Sequence, residues 1–79
     1  MYIVYILQSL KDQSYYTEIT TNSIKRLNDH NLGTSIYSSG KKPFKITWYC
    51  IFNDKIKAIH FEKYLKSGSG IAFRNKRLI

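Results

Sequence analysis

The residues of this sequence that are best suited to chemistry lie around one short segment. Arg26 and His30 stand four positions apart where the pattern predicts a helix over residues 22–32. Residues spaced by three or four positions are neighbours on a helical surface, so the guanidinium and the imidazole share one face. Together they could meet a phosphate or a carboxylate. Tyr16 precedes this helix, in the strand that leads into it.

Glu62 is a further candidate because of its position on a second predicted helix. Asp54 is a good N-cap for a helix that we expect to run to about Lys66. The apolar arc of this helix consists of Ala58, Ile59, Phe61 and Leu65. At about 100° per residue, Glu62 falls inside that arc. An unpaired buried charge is costly, so Glu62 needs a cationic partner, either Arg26 or a metal ion.

The charge balance indicates a polyanionic partner. Thirteen Lys and Arg residues against five Asp and Glu residues give a formal net charge of +8 in a chain of 79 residues. A field of that size attracts nucleic acid and steers it in, although the same charge can also serve solubility alone. The candidate residues for nucleic-acid binding are Lys41, Lys42, Arg74, Lys76 and Arg77.

The length predicts a single domain, residues 1–79, with one core. Cys50 is the only cysteine, which excludes an internal disulfide or a cysteine zinc site and favours a reducing, cytoplasmic setting. The apolar run near the start covers residues 2–7 and has no basic residue before it. We therefore expect a first strand there, and neither a signal peptide nor a membrane span.

The pattern along the chain predicts an α+β fold. Strands are expected at residues 2–9 and 14–20, joined as a hairpin, and at residues 45–52. They would form a small three-stranded, mainly antiparallel β-sheet flanked by α-helices, in the order β-β-α-β-α-α. Alternation in the third strand would place Ile46, Trp48, Cys50 and Phe52 on one face. Residues 33–43 are predicted to form a loop, and SGSG at 67–70 to break the second helix before a short basic third helix or tail.

This arrangement resembles the GIY-YIG nuclease superfamily. Ile3-Val4-Tyr5 stands for the first tripeptide of the family motif and Tyr16-Thr17-Glu18 for the second, with the tyrosines eleven positions apart. Arg26 follows the second tyrosine by ten residues and His30 follows by four more, as the family pattern has them. Glu62 lies in the helix after the third strand, as the family's metal ligand does. The similarity covers the whole chain and is greatest to the small stand-alone bacterial members, the UvrC-N-terminal-like group.

The resemblance implies metal-assisted hydrolysis of phosphodiester bonds in DNA, with one Mg²⁺ or Mn²⁺ ion held by Glu62. In this interpretation Tyr5 and Tyr16 position the attacking water and help to deprotonate it. Arg26 holds the scissile phosphate, and His30 supports that arrangement or takes a proton. So small a domain leaves little surface for reading bases, so we expect selection by nucleic-acid structure rather than by sequence. RNA stays open as a substrate, and no membrane partner is expected.

Glu18 departs from the family pattern, because it stands where the second tripeptide has its glycine. A carboxylate there adds bulk and negative charge near the expected phosphate, unless the side chain points to the far side of the sheet. The resemblance therefore also allows a catalytically impaired domain that binds nucleic acid or a protein. The structural alternatives are packed sheet tyrosines for Tyr5 and Tyr16, a solvated helix face for Arg26 with His30, and a salt bridge to Arg26 for Glu62.

Overall fold

The computed structural model describes residues 1–21 and 43–79. These residues form three strands, β1 (Tyr2–Ser9), β2 (Tyr15–Thr20) and β3 (Phe44–Phe52), and two helices, α1 (Lys55–Lys66) and α2 (Gly68–Arg77). The helix predicted over residues 22–32 and the loop predicted up to residue 42 lie outside the described residues, and so do Arg26, His30, Lys41 and Lys42.

The three strands form one antiparallel sheet in the order β2-β1-β3, which confirms the predicted three-stranded architecture. β1 is the central strand, and its residues Val4, Tyr5, Ile6 and Leu7 have no solvent exposure. A strand that is covered on both faces needs apolar side chains at every position rather than at alternate ones. The unbroken run YIVYIL therefore folds as the pattern predicts.

The two faces of the sheet carry different clusters. Val4 packs against Ala58 and Leu65 of α1 on the side that we call the helix face, where the Phe61 ring lies 6.1 Å from Trp48 and 5.6 Å from Phe52. Tyr5, Leu7 and Phe44 form a second buried cluster on the opposite side, with Ile3, Tyr16 and Ile46 packed against it. We call this side the tyrosine face. Alternation along β1 assigns each neighbouring residue to the other face.

A β-bulge in β3 makes the prediction for Ile46 wrong. Ile6 pairs with Trp48 and Leu7 pairs with Ile46, so Thr47 is left as the extra residue of the bulge. The Thr47 hydroxyl donates a hydrogen bond to the Ile6 carbonyl at 3.2 Å. Because one inserted residue reverses the alternation, Ile46 lies on the tyrosine face rather than beside Trp48.

The hairpin turn between β1 and β2 is held by side chains as well as by the backbone. The buried Ser9 hydroxyl accepts hydrogen bonds from the Lys11 and Asp12 amides at 3.1 and 3.3 Å. Backbone bonds join the Ser9 amide to the Ser14 carbonyl and the Gln13 amide to the Ser9 carbonyl, both at 2.9 Å. Gln13 adopts a positive φ of 68°, which lets the chain reverse within this short turn.

Polar residues cap the start of both helices and the end of α1. Asp54 caps α1 as predicted, because its carboxylate accepts from the Ile56 and Lys57 amides at 2.8 and 3.2 Å. The break after α1 is one residue, Ser67, and the two glycines that follow lie in the first turn of α2. Ser67 ends α1 and caps α2 at once: its hydroxyl donates to the Tyr64 carbonyl at 2.6 Å and accepts from the Gly70 amide at 3.2 Å. Neither described helix is long and apolar enough to cross a bilayer.

Gly70 allows α2 to start directly against the end of α1. A Cβ atom at this position would lie 1.6 Å from the Tyr64 carbonyl oxygen and 2.9 Å from the Leu65 Cα. Both contacts are with backbone atoms, which cannot rotate away as the end of a side chain can. At Gly68, two residues earlier, an added Cβ atom would have no other atom within 4 Å.

Gly70→Ala is therefore expected to destabilise the protein by about 2–3 kcal/mol, the range typical of an overpacked site. Gly68→Ala is the matched control and should leave the free energy of unfolding unchanged or slightly raise it, because alanine is the better helix former. Urea denaturation of both variants beside the wild type measures the difference. Equal stability of the two variants would contradict the close approach at Gly70.

Candidate active site

The two motif tyrosines lie on the same face of the sheet. Tyr5 is fully buried in the centre of β1, and the half-buried Tyr16 packs against the same cluster from β2. The Tyr16 ring meets Phe44 edge-on, with ring centroids 5.6 Å apart and planes at 77°. The Tyr16 hydroxyl oxygen lies 3.2 Å from the Ser14 hydroxyl oxygen. The bulge in β3 contributes to this cluster, because it brings Ile46 onto the tyrosine face.

Glu18 also lies on the tyrosine face. It pairs directly with Tyr5 across the antiparallel β1–β2 ladder, and directly paired residues project to the same side. It is also two residues from Tyr16 in the same strand, which again gives the same side. The possibility that Glu18 points to the far side of the sheet is therefore excluded by the register. Its carboxylate is half-buried and lies on the face of both motif tyrosines.

Glu62 has its cationic partner within its own helix. Its side chain is 12% exposed, and its carboxylate forms an ion pair with the Lys66 ammonium at 2.5 Å. Arg26, the partner considered from the sequence, lies outside the described residues. The signal for Lys66 was present in the sequence, because a glutamate four positions before a lysine is the favoured orientation of a helical ion pair.

Of the three basic residues of α2, Arg74 contacts other side chains, whereas Lys76 and Arg77 face solvent. The Arg74 guanidinium lies over the Tyr15 ring, 5.2 Å from its centroid, and donates to the Asn75 side-chain carbonyl from Nε at 3.1 Å and Nη2 at 2.9 Å. These contacts fix the plane of the guanidinium. Lys76 and Arg77 are exposed in the last turn of the helix.

A cavity of about 520 Å³ lies where the outer strand β2 meets the two helices. Its lining includes Tyr16 and Glu18 from the strand, Lys66 from α1 and Arg74 from α2. The structure thus brings two of the predicted site residues, Tyr16 and Arg74, to the same concave surface. Sequence reasoning missed Lys66 here. Tyr5 and Glu62 are not part of this lining.

A divalent cation such as Mg²⁺ requires oxygen ligands, and the candidate ligand among the described residues is Glu62. Residues 1–21 and 43–79 contain no group of three or more His, Cys, Asp or Glu side chains placed to hold a metal. Glu62 nevertheless fits a hard cation, because its mostly buried carboxylate is an oxygen ligand and Mg²⁺ is commonly bound through one carboxylate, water and phosphate. Such a cation would compete with the Lys66 ammonium for the negative charge of this carboxylate.

Cys50 lies on the helix face rather than beside the tyrosines. Burial raises the pKa of its thiol, while a hydrogen bond from the Val4 backbone acts weakly in the opposite direction. A raised thiol pKa lowers the thiolate fraction at neutral pH, so Cys50 is a poor nucleophile. Its role as a small packed residue agrees with this position.

If Glu62 holds a metal ion, Lys66→Met is expected to strengthen binding of Mg²⁺ about two-fold, because the competing ammonium is removed and a typical helical ion pair corresponds to that factor. Lys63→Met is the control, since Lys63 is exposed on the same helix. The rise in melting temperature with Mg²⁺ concentration gives the affinity of each variant. A larger gain in Mg²⁺ affinity in Lys63→Met than in Lys66→Met would contradict competition between Lys66 and the metal ion for Glu62.

Comparison with known proteins gives one family model that matches most of the chain. Residues 1–75 match the model described as the GIY-YIG catalytic domain. The match includes β1, β2, β3 and α1, and it ends within α2.

Two relatives agree with this match. The chain is 40% identical over 67 residues to a UPF0213 protein of Clostridium perfringens, and the aligned part covers 84% of this chain and 71% of the relative. The solution NMR structure of a UPF0213 protein from Bacillus halodurans superposes with a TM-score of 0.58 at 30% identity. That superposition covers 99% of this chain and 87% of the other.

Proposed function

The chain belongs to the GIY-YIG family, a family of nuclease domains, and from this membership we propose that it is a metal-dependent endonuclease acting on DNA. The reaction is hydrolysis of phosphodiester bonds, selected by nucleic-acid structure rather than by sequence. The observation that carries the proposal is the placement of Tyr5 and Tyr16 in one packed cluster on one face of the sheet. Tyr5 and Tyr16 are eleven positions apart in the sequence, and the register of the β1–β2 hairpin places both on the tyrosine face.

The proposed roles follow from the chemistry of each side chain. Tyr5 and Tyr16 orient the attacking water and help to remove its proton. Arg26 binds the scissile phosphate through its planar set of donors, and His30 supports that contact or takes a proton. Glu62 would hold the Mg²⁺ or Mn²⁺ ion, which supplies positive charge against the charge that develops on the phosphate. Each of these assignments is a proposal that rests on the family pattern.

Binding of the substrate is assigned to basic residues outside this group. The net charge of +8 attracts a polyanion, and Lys41, Lys42, Arg74, Lys76 and Arg77 are the proposed contacts to the phosphate backbone. Contacts of that kind position a nucleic acid without reading its bases. DNA is the proposed substrate, with RNA as the alternative. We further propose that residues 1–79 act as one domain in the cytoplasm.

One observation favours a second candidate function, a catalytically impaired domain that binds nucleic acid or a protein. Glu18 stands opposite Tyr5 on the tyrosine face, so its negative charge lies on the side where the tyrosines would meet a phosphate. Like charges repel at close range, and a half-buried carboxylate is screened less than an exposed one. In this candidate the fold and the basic surface are retained while hydrolysis is lost.

The first test is cleavage of labelled duplex, nicked, branched and single-stranded DNA and of RNA, with Mg²⁺ or Mn²⁺. We expect the cleavage rate to fall about 100-fold or more in each of three variants, Glu62→Gln, Arg26→Ala and Tyr16→Phe. Each variant lacks a group that is proposed to stabilise the transition state or to take part in the proton transfer. Lys63→Ala, a substitution at an exposed position of α1, is the control and should cut like the wild type. Metal-independent cleavage, or cleavage that survives in Glu62→Gln, would contradict the proposal.

The second test separates the charge of Glu18 from its size. Glu18→Gln removes the charge and keeps the volume, whereas Glu18→Gly restores the residue of the family motif. If the charge impairs catalysis, both variants are expected to cut faster than the wild type, and the increase measures the repulsion. Cleavage at the wild-type rate in both variants would remove the reason for the second candidate. Salt-dependent binding of DNA without cleavage in all three proteins would support it.

A further inference from the structure

Two aromatic side chains are exposed where the two helices meet. Tyr64, near the end of α1, is 41% exposed, and Phe73 of α2 is 38% exposed. Their ring centroids lie 6.1 Å apart with planes inclined at 54°, so each ring supports the other. Single exposed apolar residues are common on protein surfaces, but two rings in mutual contact form one continuous aromatic surface. We call Tyr64 and Phe73 the aromatic pair.

The aromatic pair is continuous with the core, which fixes its geometry. The Tyr64 ring stacks on Phe61 with centroids 6.4 Å apart and planes at 29°. Phe61 in turn packs against Trp48 and Phe52 on the helix face. Rings that are held in place before a partner binds lose little side-chain freedom on binding. More than a third of each residue of the pair is therefore presented to solvent in a preset position.

Basic residues flank the aromatic pair along both helices. On α1, Lys57 lies seven positions before Tyr64, a spacing that places two residues on one stripe of a helix. On α2, Lys76 and Arg77 follow Phe73 by three and four positions, which again gives the same side. All three basic side chains are exposed. A polyanion that lies across the aromatic pair thus meets positive charge in both directions.

The charge of the helix pair favours a polyanionic partner over a second copy of the chain. α1 contains four lysines and α2 three basic residues, against one carboxylate, that of the mostly buried Glu62. Two copies that met through this surface would bring like charges together, which opposes association. An anionic membrane is less suited as well, because Ala58 and Leu65 take up the apolar side of α1 against the sheet.

We infer that the aromatic pair is a stacking surface for unpaired nucleic-acid bases. Every base has a π face, and proteins hold single strands without reading their sequence by combining aromatic side chains with a cationic surface. In a duplex each base is covered by its neighbours, so the aromatic pair can reach no base face there. The inference rests on the proposed function for the choice of nucleic acid as the partner. It adds the class of substrate, which is strands, flaps or ends with unpaired bases.

Binding is measured without metal ions, so that cleavage does not interfere, by fluorescence anisotropy of labelled strands. The probes are oligothymidylate, an abasic strand of the same length and a blunt duplex of the same length. The wild type is expected to bind oligothymidylate more tightly than the abasic strand at equal salt concentration, because the two carry the same phosphates and differ only in the bases. Equal affinity for both strands would overturn the inference.

Tyr64→Leu and Phe73→Leu keep an apolar side chain but remove the aromatic ring. Each is expected to weaken binding of oligothymidylate about ten-fold, the effect typical of losing one stacked base, and to change the affinity for the duplex and the abasic strand less than about two-fold. The dependence of affinity on salt should stay as in the wild type, since no charge is removed. Ile56→Ala is the matched control, because Ile56 is an apolar residue of α1 that is 59% exposed, and it should bind every probe like the wild type.

Further variants separate stacking from charge and from loss of the fold. Phe73→Tyr retains a ring and should bind oligothymidylate like the wild type, and circular dichroism with a melting curve confirms that each variant is folded. Arg77→Gln should weaken binding of all three probes to a similar degree and lower the salt dependence, as loss of a phosphate contact does. Leucine variants that bind oligothymidylate like the wild type would overturn the inference. Binding to vesicles of anionic phospholipid, with no binding to any of the three probes, would also overturn it.

The inference and the proposed nuclease function can fail separately. Ring-dependent binding of oligothymidylate by a wild type that cuts no substrate would support the aromatic pair and contradict the nuclease function. Metal-dependent cleavage by the wild type, with leucine variants that bind single strands equally well, would contradict the aromatic pair and leave the nuclease function intact.

Discussion

The burial of β1 on both faces is the constraint on which the rest of the structure depends. Four consecutive residues without solvent contact require a cover on each side and a strand at each edge. α1 covers the helix face through Ala58 and Leu65. The cluster on the other face forms around Tyr5, so a residue that the family motif assigns to chemistry is also a central packing residue. Substitutions at Tyr5 will therefore affect stability and reactivity together, whereas Tyr16, which is half-buried and bonded through its hydroxyl, separates the two more cleanly.

The bulge at Thr47 and the hairpin register decide what the tyrosine face contains. The bulge moves Ile46 to the side of Leu7, and the register brings Glu18 opposite Tyr5. Neither arrangement is a property of a single strand. Each follows from how two strands are aligned, and the alignment is fixed by contacts such as the Thr47 hydroxyl on the Ile6 carbonyl. The carboxylate of Glu18 thus lies on the tyrosine face because Glu18 pairs with Tyr5, a residue thirteen positions earlier in the chain.

Local sequence patterns were sufficient to predict features that depend on a single strand or helix. The apolar run of β1, the cap at Asp54 and the end of α1 at Lys66 all follow from residues within a few positions of each other. Local patterns failed where a neighbouring element decided the structure. The face on which Ile46 lies depends on how β3 pairs with β1, and Ser67 both ends α1 and caps α2. Lys66 was not predicted as the partner of Glu62, because the apolar arc of α1 indicated a buried carboxylate whereas Lys66 lies on the exposed part of the same helix. The common face of Arg26 and His30 stays a prediction, because both lie outside the described residues.

Ser67 gives the C-terminal part of the chain a mechanical property. One residue ends α1 and begins α2, and the Gly70 backbone is pressed against that of Tyr64, so the joint has no slack to bend or twist. The two helices should therefore move together as one rigid elbow, so that a displacement of α1 is passed on to α2 in full.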